Sequence, residues 1–405
     1  MGLERWKLNV VVLWFGQIFV MSGMTMIIPF LPLYLQFDLG LTDPHEIAVW
    51  SGLIFAGTFV TSFIFQPIWG KVADRYGRKM MLLRSGFGMS VVIILMGFSQ
   101  TPWHLLLLRI ANGTISGFIP AATALVAATT PKNRVGFAMG TLQSGSMAGS
   151  LLGPFIGGLL ADWIGFRPIF YITGALIFTA TMLALLIIKE SFNREAAASR
   201  PQASVLQGFR QLGKIPQLSA MFTVTLLIQF AMAAPMALIP LYVQKLHGST
   251  ENLAFLSGFV GSVTGMSNMI AAPFLGRWGD KYGSGKILAA SLLGASVVFV
   301  PHAMVNTVWQ LLIIRFILGI FMAGLLPSVN ALIRKYTPDG MESRAYSFNT
   351  SAMSLGNMLG PIVGGALSGW AGIEGVFIFT AALLFLNVFW LRQALRRSRP
   401  TKASA

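Results

Sequence analysis

The chain predicts an all-α membrane protein in which twelve transmembrane helices form two related six-helix bundles. Three observations carry this. The 405 residues are 55% hydrophobic and only 10% charged, with mean hydropathy +0.71; a soluble domain has roughly 25% charged residues, so lipid must solvate most of this surface. Twelve stretches are long and apolar enough to cross a bilayer, which takes about 20 residues each. Finally, the charged turn Gly70–Lys79, GKVADRYGRK, recurs as GRWGDKYGSGK from Gly276.

The stretches run over 8–36, 46–70, 80–99, 102–128, 135–161, 167–189, 217–245, 253–275, 286–304, 307–333, 344–369 and 374–394. Most connections are short and hold Gly, Pro or charge. The exception, 190–216, is polar and Ala/Ser-rich and reads as a linker. The expected division is a bundle over 1–190, a cytoplasmic linker 191–216, a second bundle over 217–395 and a basic tail 396–405.

The halves match beyond the turn. Pro32 pairs with Pro240, Ser51-Gly52 with Ser257-Gly258, Pro67 with Pro273, Arg109 with Arg315, and Gly153-Pro154 with Gly360-Pro361. Two like-oriented repeats related by an axis along the membrane normal are one recurring transporter arrangement.

The net charge of +16 does not imply nucleic acid. Of the 29 Lys and Arg, all but Arg109, Arg167, Lys245 and Arg315 fall in the termini and the loops of one side. That bias places both termini in the cytoplasm. With no cysteine, disulfides and thiolate metal sites are excluded, and His45, His104, His247 and His302 show no metal spacing. The N-terminus, which lacks a small-residue cleavage site, reads as a first span and not a signal peptide. No cofactor is expected, and the chain is taken as monomeric.

On the fifth helix, Gly145, Gly149, Gly153 and Gly157 recur every four residues beside a second row with Pro154 and Gly158. The eleventh repeats this with Ala352, Gly356, Gly360 and Gly364, and with Pro361 within the row. Small residues allow close helix contact in lipid. The rows read either as packing seams or as surfaces on which the halves rock, and each proline favours a bend. On the fourth helix, Arg109, Asn112 and Ser116 share a face. An arginine at a span's centre costs at least about 2.5–3.5 kcal/mol in lipid, so Arg109 faces protein or water.

The charged turns read either as solvated loops or as a conformational switch of Gly70, Asp74, Arg75, Gly77, Arg78 and Lys79. Asp74 is expected to pair with Arg344, and Asp280 with Arg134, latching the halves weakly.

These motifs resemble those of the major facilitator superfamily along essentially the whole chain. Gly70–Lys79 resembles the family's signature between its second and third helices, and Arg109–Gly117 its fourth-helix motif. Gly149–Gly158 resembles the fifth-helix motif of drug:proton antiporters. The resemblance implies proton-driven export by alternating access around a central pocket lined by helices one, four, seven and ten. The pocket candidates are then Gln17, Met21, Thr25, Arg109, Asn112, Gln229, Met232, Met236, Phe321 and Leu325; methionine repacks readily around varied ligands.

One departure stands out. All 13 acidic residues lie outside the helix centres, whereas many such antiporters carry an intramembrane acid. Asp74 and Asp38 remain as proton-coupling candidates. A cavity with arginine and no carboxylate should disfavour permanent cations, so neutral, zwitterionic or anionic amphiphiles are the expected cargo. The expected function is secondary export of small amphipathic drugs with protons and the bilayer as partners, and the alternative is export of one specific metabolite. ATP-driven pumping lacks its GxxxxGK[ST] loop. A membrane enzyme would need inward acid/base clusters, and a scaffold would not need duplicated small-residue seams.

Overall fold

The computed structural model describes residues 5–131, 134–190, 212–338 and 341–396, without the side chains of 67, 70, 71, 74, 75, 135, 136, 342–344, 347 and 396. Every regular element among the described residues is helical. Among the described residues, eleven helical stretches suffice in length and apolarity to cross a membrane. The last, Phe348–Leu395, is 48 residues long and is interrupted at Gly372 (φ 70°, ψ 176°). Divided there, the stretches make twelve spans, numbered below by order in the chain.

The chain folds as two compact units. One comprises Met1–Pro201 with Ile239–Ser262, the other Gln202–Leu238 with Val263–Ala405. The main cut lies within the expected linker, whose residues 191–211 are outside the described set, as is most of the basic tail.

The duplication governs where helices start and stop. Thr101 and Thr307 cap the fourth and tenth spans, accepting from the amides of His104 and Gln310. Gly77 (φ 98°) and Gly283 (φ 94°) close the second and eighth spans, and Gly165 (φ 81°) and Gly372 (φ 70°) follow the fifth and eleventh. These backbone angles favour glycine. The same turns were therefore kept in both copies.

The four spans that the family resemblance assigns to the centre are the interrupted ones. The first runs Arg5–Met26, a 3-10 turn Ile28–Phe30, then Leu31–Phe37. The seventh runs Pro216–Ala233, a 3-10 turn Met236–Leu238, then Ile239–His247. Pro29 and Pro235 lie at these breaks and withhold an amide from each helix. The fourth span is divided into Pro102–Ile115 and Phe118–Thr129, and the tenth into Val308–Met322 and Leu325–Tyr336. By contrast the fifth runs unbroken over Val135–Ile164 through Pro154.

The glycine rows meet neighbouring backbone within each repeat. A Cβ added at Gly145 would lie 2.8 Å from Trp14 O, and one at Gly149 2.6 Å from Ile18 O, so the fifth span rests on the first. A Cβ at Gly356 would lie 2.5 Å from Leu226 O, and one at Gly360 2.6 Å from Phe230 O, so the eleventh rests on the seventh. This main row is thus a seam inside one repeat and not a surface on which the halves slide. The second row differs: Gly158 and Pro154 abut the backbone of Ala254 and Gly258 at the start of the eighth span, all within the first unit.

Exposed tryptophans repeat as well. Trp103 and Trp309 at helix starts are 61% and 70% exposed, and Trp163 and Trp370 are 79% and 91% exposed. Indole rings favour the membrane–water boundary, so these residues mark one boundary of each repeat.

Candidate functional site

The fourth span organises the site. Pro120 carries no amide and its ring would crowd the carbonyl of Ser116, so a continuous helix is disfavoured there. The chain yields at Ser116 (φ −55°, ψ 160°) and Gly117 (φ 145°, ψ 9°). A break inside a span leaves carbonyls that water cannot satisfy. Side chains supply the donors. Ser62 Oγ donates to Gly113 O at 3.2 Å, Trp69 Nε1 to Thr114 O at 2.7 Å, and Arg84 Nη2 to Ile115 O at 3.1 Å. Higher up, Thr58 and Thr61 donate to Arg109 O and Ile110 O at 3.2 and 2.8 Å. The second span therefore presents a polar ladder to the fourth, and Gly113 lets the two backbones approach, since any Cβ there would run into Thr58 O and Thr61 Oγ1.

Arg109 and Asn112 lie on this held segment, 9% and 1% exposed. Arg109 Nε and Asn112 Oδ1 are buried without a hydrogen-bond partner. Such groups are costly to leave unpaired, which makes Arg109 Nε a candidate donor and Asn112 Oδ1 a candidate acceptor for a ligand's polar groups. Ser116, expected on the same face, instead terminates the helix, its Oγ 2.9 Å from Ser62 Oγ. The periodicity argument fails there because the helix ends at Ile115.

Several of the other pocket candidates pack against neighbouring helices. Gln17 is buried and accepts from Ser146 Oγ. Thr25 Oγ1 donates to Met21 O at 2.7 Å and lies against Gly153, and Met21 Cβ faces Gly149. This face of the first span is occupied by the fifth. In the same way Gln229 Cβ would lie 2.8 Å from a Cβ at Gly356. Phe321 packs against Gly294 of the ninth span and Leu325 is 2% exposed, on opposite sides of the helix interruption. Met232 is half-buried and Met236 is 37% exposed. Arg315, on the tenth span, is partly buried.

At the repeated turn, Arg78 and Lys79 begin the third span, and their amides donate to Glu190 Oε1 and Oε2 at 3.1 and 2.8 Å. Lys79 Nζ donates in turn to Leu185 O and Ile188 O at 2.9 and 2.6 Å. The side chains of Asp74, Arg75 and Arg344, like Gly70, fall outside the described set; Arg134 and Asp280 are exposed.

Asp38 ends the first span and pairs with Arg167, Oδ2 to Nε 3.4 Å. Arg167 Nη1 also donates to Gly97 O at 3.0 Å. Burial pushes the Asp38 carboxyl above its usual range, and Arg167 pulls it partly back. Asp162 receives the amides of Ala254 and Phe255 at 3.1 and 2.8 Å, capping the eighth span with both oxygens. Its counterpart in the second repeat is Gly369, so this cap has no copy.

Sequence reasoning misses Trp69, Glu190, Asp162 and above all Arg84, which charge bias groups with the loop cations but which lies on the third span, Arg78–Met96. Its apolar flanks, MMLL before and SGFGM after, were the available signal. Among the described residues no three His, Asp or Glu gather to hold a metal.

Duplicated six-span repeats with glycine seams and interrupted helices define a membrane transporter of the twelve-span class. Residues 13–272 and 255–405 match the Major Facilitator Superfamily, and the chain belongs to that family. It is 40% identical over 395 residues to the multidrug resistance protein MdtG of Escherichia fergusonii, covering 98% of this chain and 96% of that one. With MdtG of Serratia proteamaculans it shares 41% over 400 residues, 99% and 96% of the two chains. In fold it matches the nucleoside transporter NupG (TM-score 0.80, 13% identity, 96% of this chain and 99% of that chain). It also matches a bacterial homologue of the human lysosomal transporter Spinster in an inward-facing, occupied conformation (TM-score 0.80, 15% identity, 99% and 100%).

Proposed function

We propose that the chain exports small amphipathic drugs from the cytoplasm across the inner membrane, exchanging them for protons by alternating access. The observation that carries this reading is the near full-length identity of about two residues in five to MdtG proteins named for multidrug resistance. The site adds chemistry. Arg109 and Asn112 offer one cationic and one amide group, buried with unpartnered atoms. Neutral, zwitterionic and anionic amphiphiles fit this site better than permanent cations.

Asp38 is the stronger of the two proton-coupling candidates, because it is partly buried and held in an ion pair with Arg167 that protonation of the carboxylate would break. The pairs Asp74–Arg344 and Asp280–Arg134 remain part of the proposal as cytoplasmic latches, resting on their mirrored positions in the sequence. The one-sided bias of Lys and Arg supports a cytoplasmic position for both termini.

Purified protein in liposomes under an imposed pH gradient tests the reading against a panel of unrelated amphiphiles. Uptake of several of them driven by the gradient is expected. Movement of a single compound class would favour the specific-metabolite alternative, and no movement under either polarity would remove proton antiport.

A further inference from the structure

The Gly-x-x-Pro sequence at the fourth-span break, Gly117-Phe118-Ile119-Pro120, recurs in the tenth as Gly324-Leu325-Leu326-Pro327. The two copies adopt different backbones. Gly117 is fully out of the helical region (φ 145°, ψ 9°), whereas Gly324 stays near it (φ −88°, ψ −11°). In the tenth span the amides of Ala323 and Gly324 still bond back to Gly319 O and Phe321 O, at 3.1 and 3.2 Å. One sequence device therefore occurs here as an open break and as a closed kink.

The neighbours explain the difference. In the open copy, Trp69 Nε1 and Arg84 Nη2 hold the carbonyls of Thr114 and Ile115. The Arg84 guanidinium carbon lies 3.4 Å from the centre of the Trp69 ring, so the two donors brace one another. A cation at the C-terminal end of a helix also meets the negative end of its dipole. At the matching positions of the second repeat stand Leu275 and Ala290, which cannot donate. Without these two donors, an open break would leave carbonyls that Trp69 and Arg84 satisfy in the fourth span unpaired in lipid, and the tenth span stays closed.

We propose that Trp69 and Arg84 are positioning residues that hold the fourth-span hinge open and thereby set where Arg109 and Asn112 stand. Loss of the clamp lets the freed carbonyls recover partners only by closing the hinge, as the tenth span does. Closure turns the Arg109 segment relative to Phe118–Thr129 and misplaces the ligand groups. The transport arm of the test rests on the export reading, while the conformational arm stands apart from it.

The chain has no cysteine, so spin labels can be placed at Leu107→Cys and Ala127→Cys on either side of the break without background. In lipid nanodiscs, electron–electron distance measurement should give a population shorter than the roughly 30 Å of a straight twenty-residue helix. Arg84→Met with Trp69→Phe, which removes both donors, should move it toward that length, and so should Gly117→Ala alone, because alanine disfavours φ 145° while the clamp stays intact. Arg84→Lys, which keeps a donor, should retain most of the short population. In liposomes, with a carboxylated fluorescent amphiphile as probe, KM should rise about tenfold in the double variant with turnover changing less. An unshifted distance in both the double variant and Gly117→Ala overturns the proposal. A shifted distance with unchanged KM overturns the positioning role. If the wild type moves no probe but the distances shift as expected, the export reading fails and the clamp stands.

Discussion

Lys79 and Glu190 cap each other's helices. The carboxylate of Glu190 accepts the Lys79 amide at the start of the third span, and the Lys79 ammonium donates to Ile188 O at the end of the sixth. An anion thus sits at a helix N-terminus and a cation at a C-terminus, each complementing the local dipole. Glu190→Ala removes the acceptor for two amides and should destabilise the protein by about 1–2 kcal/mol. Glu190→Gln should lose less, since it retains an acceptor oxygen. Thermal unfolding in detergent checks the order wild type, Gln, Ala. Equal melting temperatures for all three would show that the cap is not stabilising.

The glycine seam makes a contrast between positions. At Gly149 a methyl group would meet Ile18 O at 2.6 Å and Ser22 N at 3.0 Å, both backbone. Nothing lies within 4 Å of a Cβ at Gly140, which precedes the row on the same helix. Gly149→Ala should force the first and fifth spans apart and cost about 1–3 kcal/mol. Gly140→Ala should leave stability unchanged or raise it by up to about 1 kcal/mol through helix propensity. Melting temperature and yield of folded protein measure both, and a Gly149→Ala variant as stable as Gly140→Ala would contradict the seam.

Asp38 carries a pH dependence of defined sign. Its carboxyl is raised in the folded chain, chiefly by burial, with Arg167 opposing. A raised carboxyl binds its proton more tightly when folded, so its contribution to stability is full below the unfolded pKa and is lost as pH rises through the folded one. Asp38→Asn should flatten this part of the stability curve, and Arg167→Gln should push the fall to higher pH. Melting curves from about pH 3 to pH 7 span the carboxylate range. A wild-type and Asp38→Asn pair with parallel curves would refute the assignment.

The fold was legible in the sequence because membrane insertion and duplication each leave a strong one-dimensional trace. Apolar length locates the spans, and the repeated Gly77/Gly283 and Gly165/Gly372 turns sit where backbone geometry favours glycine. The site was less legible. Gln17, Met21 and Thr25 share a helical face, yet periodicity cannot say whether a neighbour covers that face, and the fifth span does. Ser116 follows Arg109 at helical spacing, but Pro120 ends the regularity from four residues ahead. Glu190 and Asp162 act on amides distant in sequence, and no local pattern marks such partners. Arg84 was hidden by its nearness to a cationic loop, although a cation among apolar neighbours on a span needs a partner.

Arg109 supplies the most direct test of cargo charge. Its guanidinium is buried and Nε lacks a hydrogen-bond partner, so a bound carboxylate or phosphonate would gain a charge-assisted bond while a cation would be repelled. Arg109→Ala should raise KM for an anionic amphiphile by about tenfold or more, as loss of a charged hydrogen bond predicts. The same change should improve transport of a lipophilic dication, because the repelling charge is gone. Arg109→Lys keeps the charge but loses the planar fork, so it should restore exclusion of the dication more fully than affinity for the anion. Initial uptake rates in liposomes separate the two effects, and a dication transported equally by wild type and Arg109→Ala would show that Arg109 does not read the charge of the cargo.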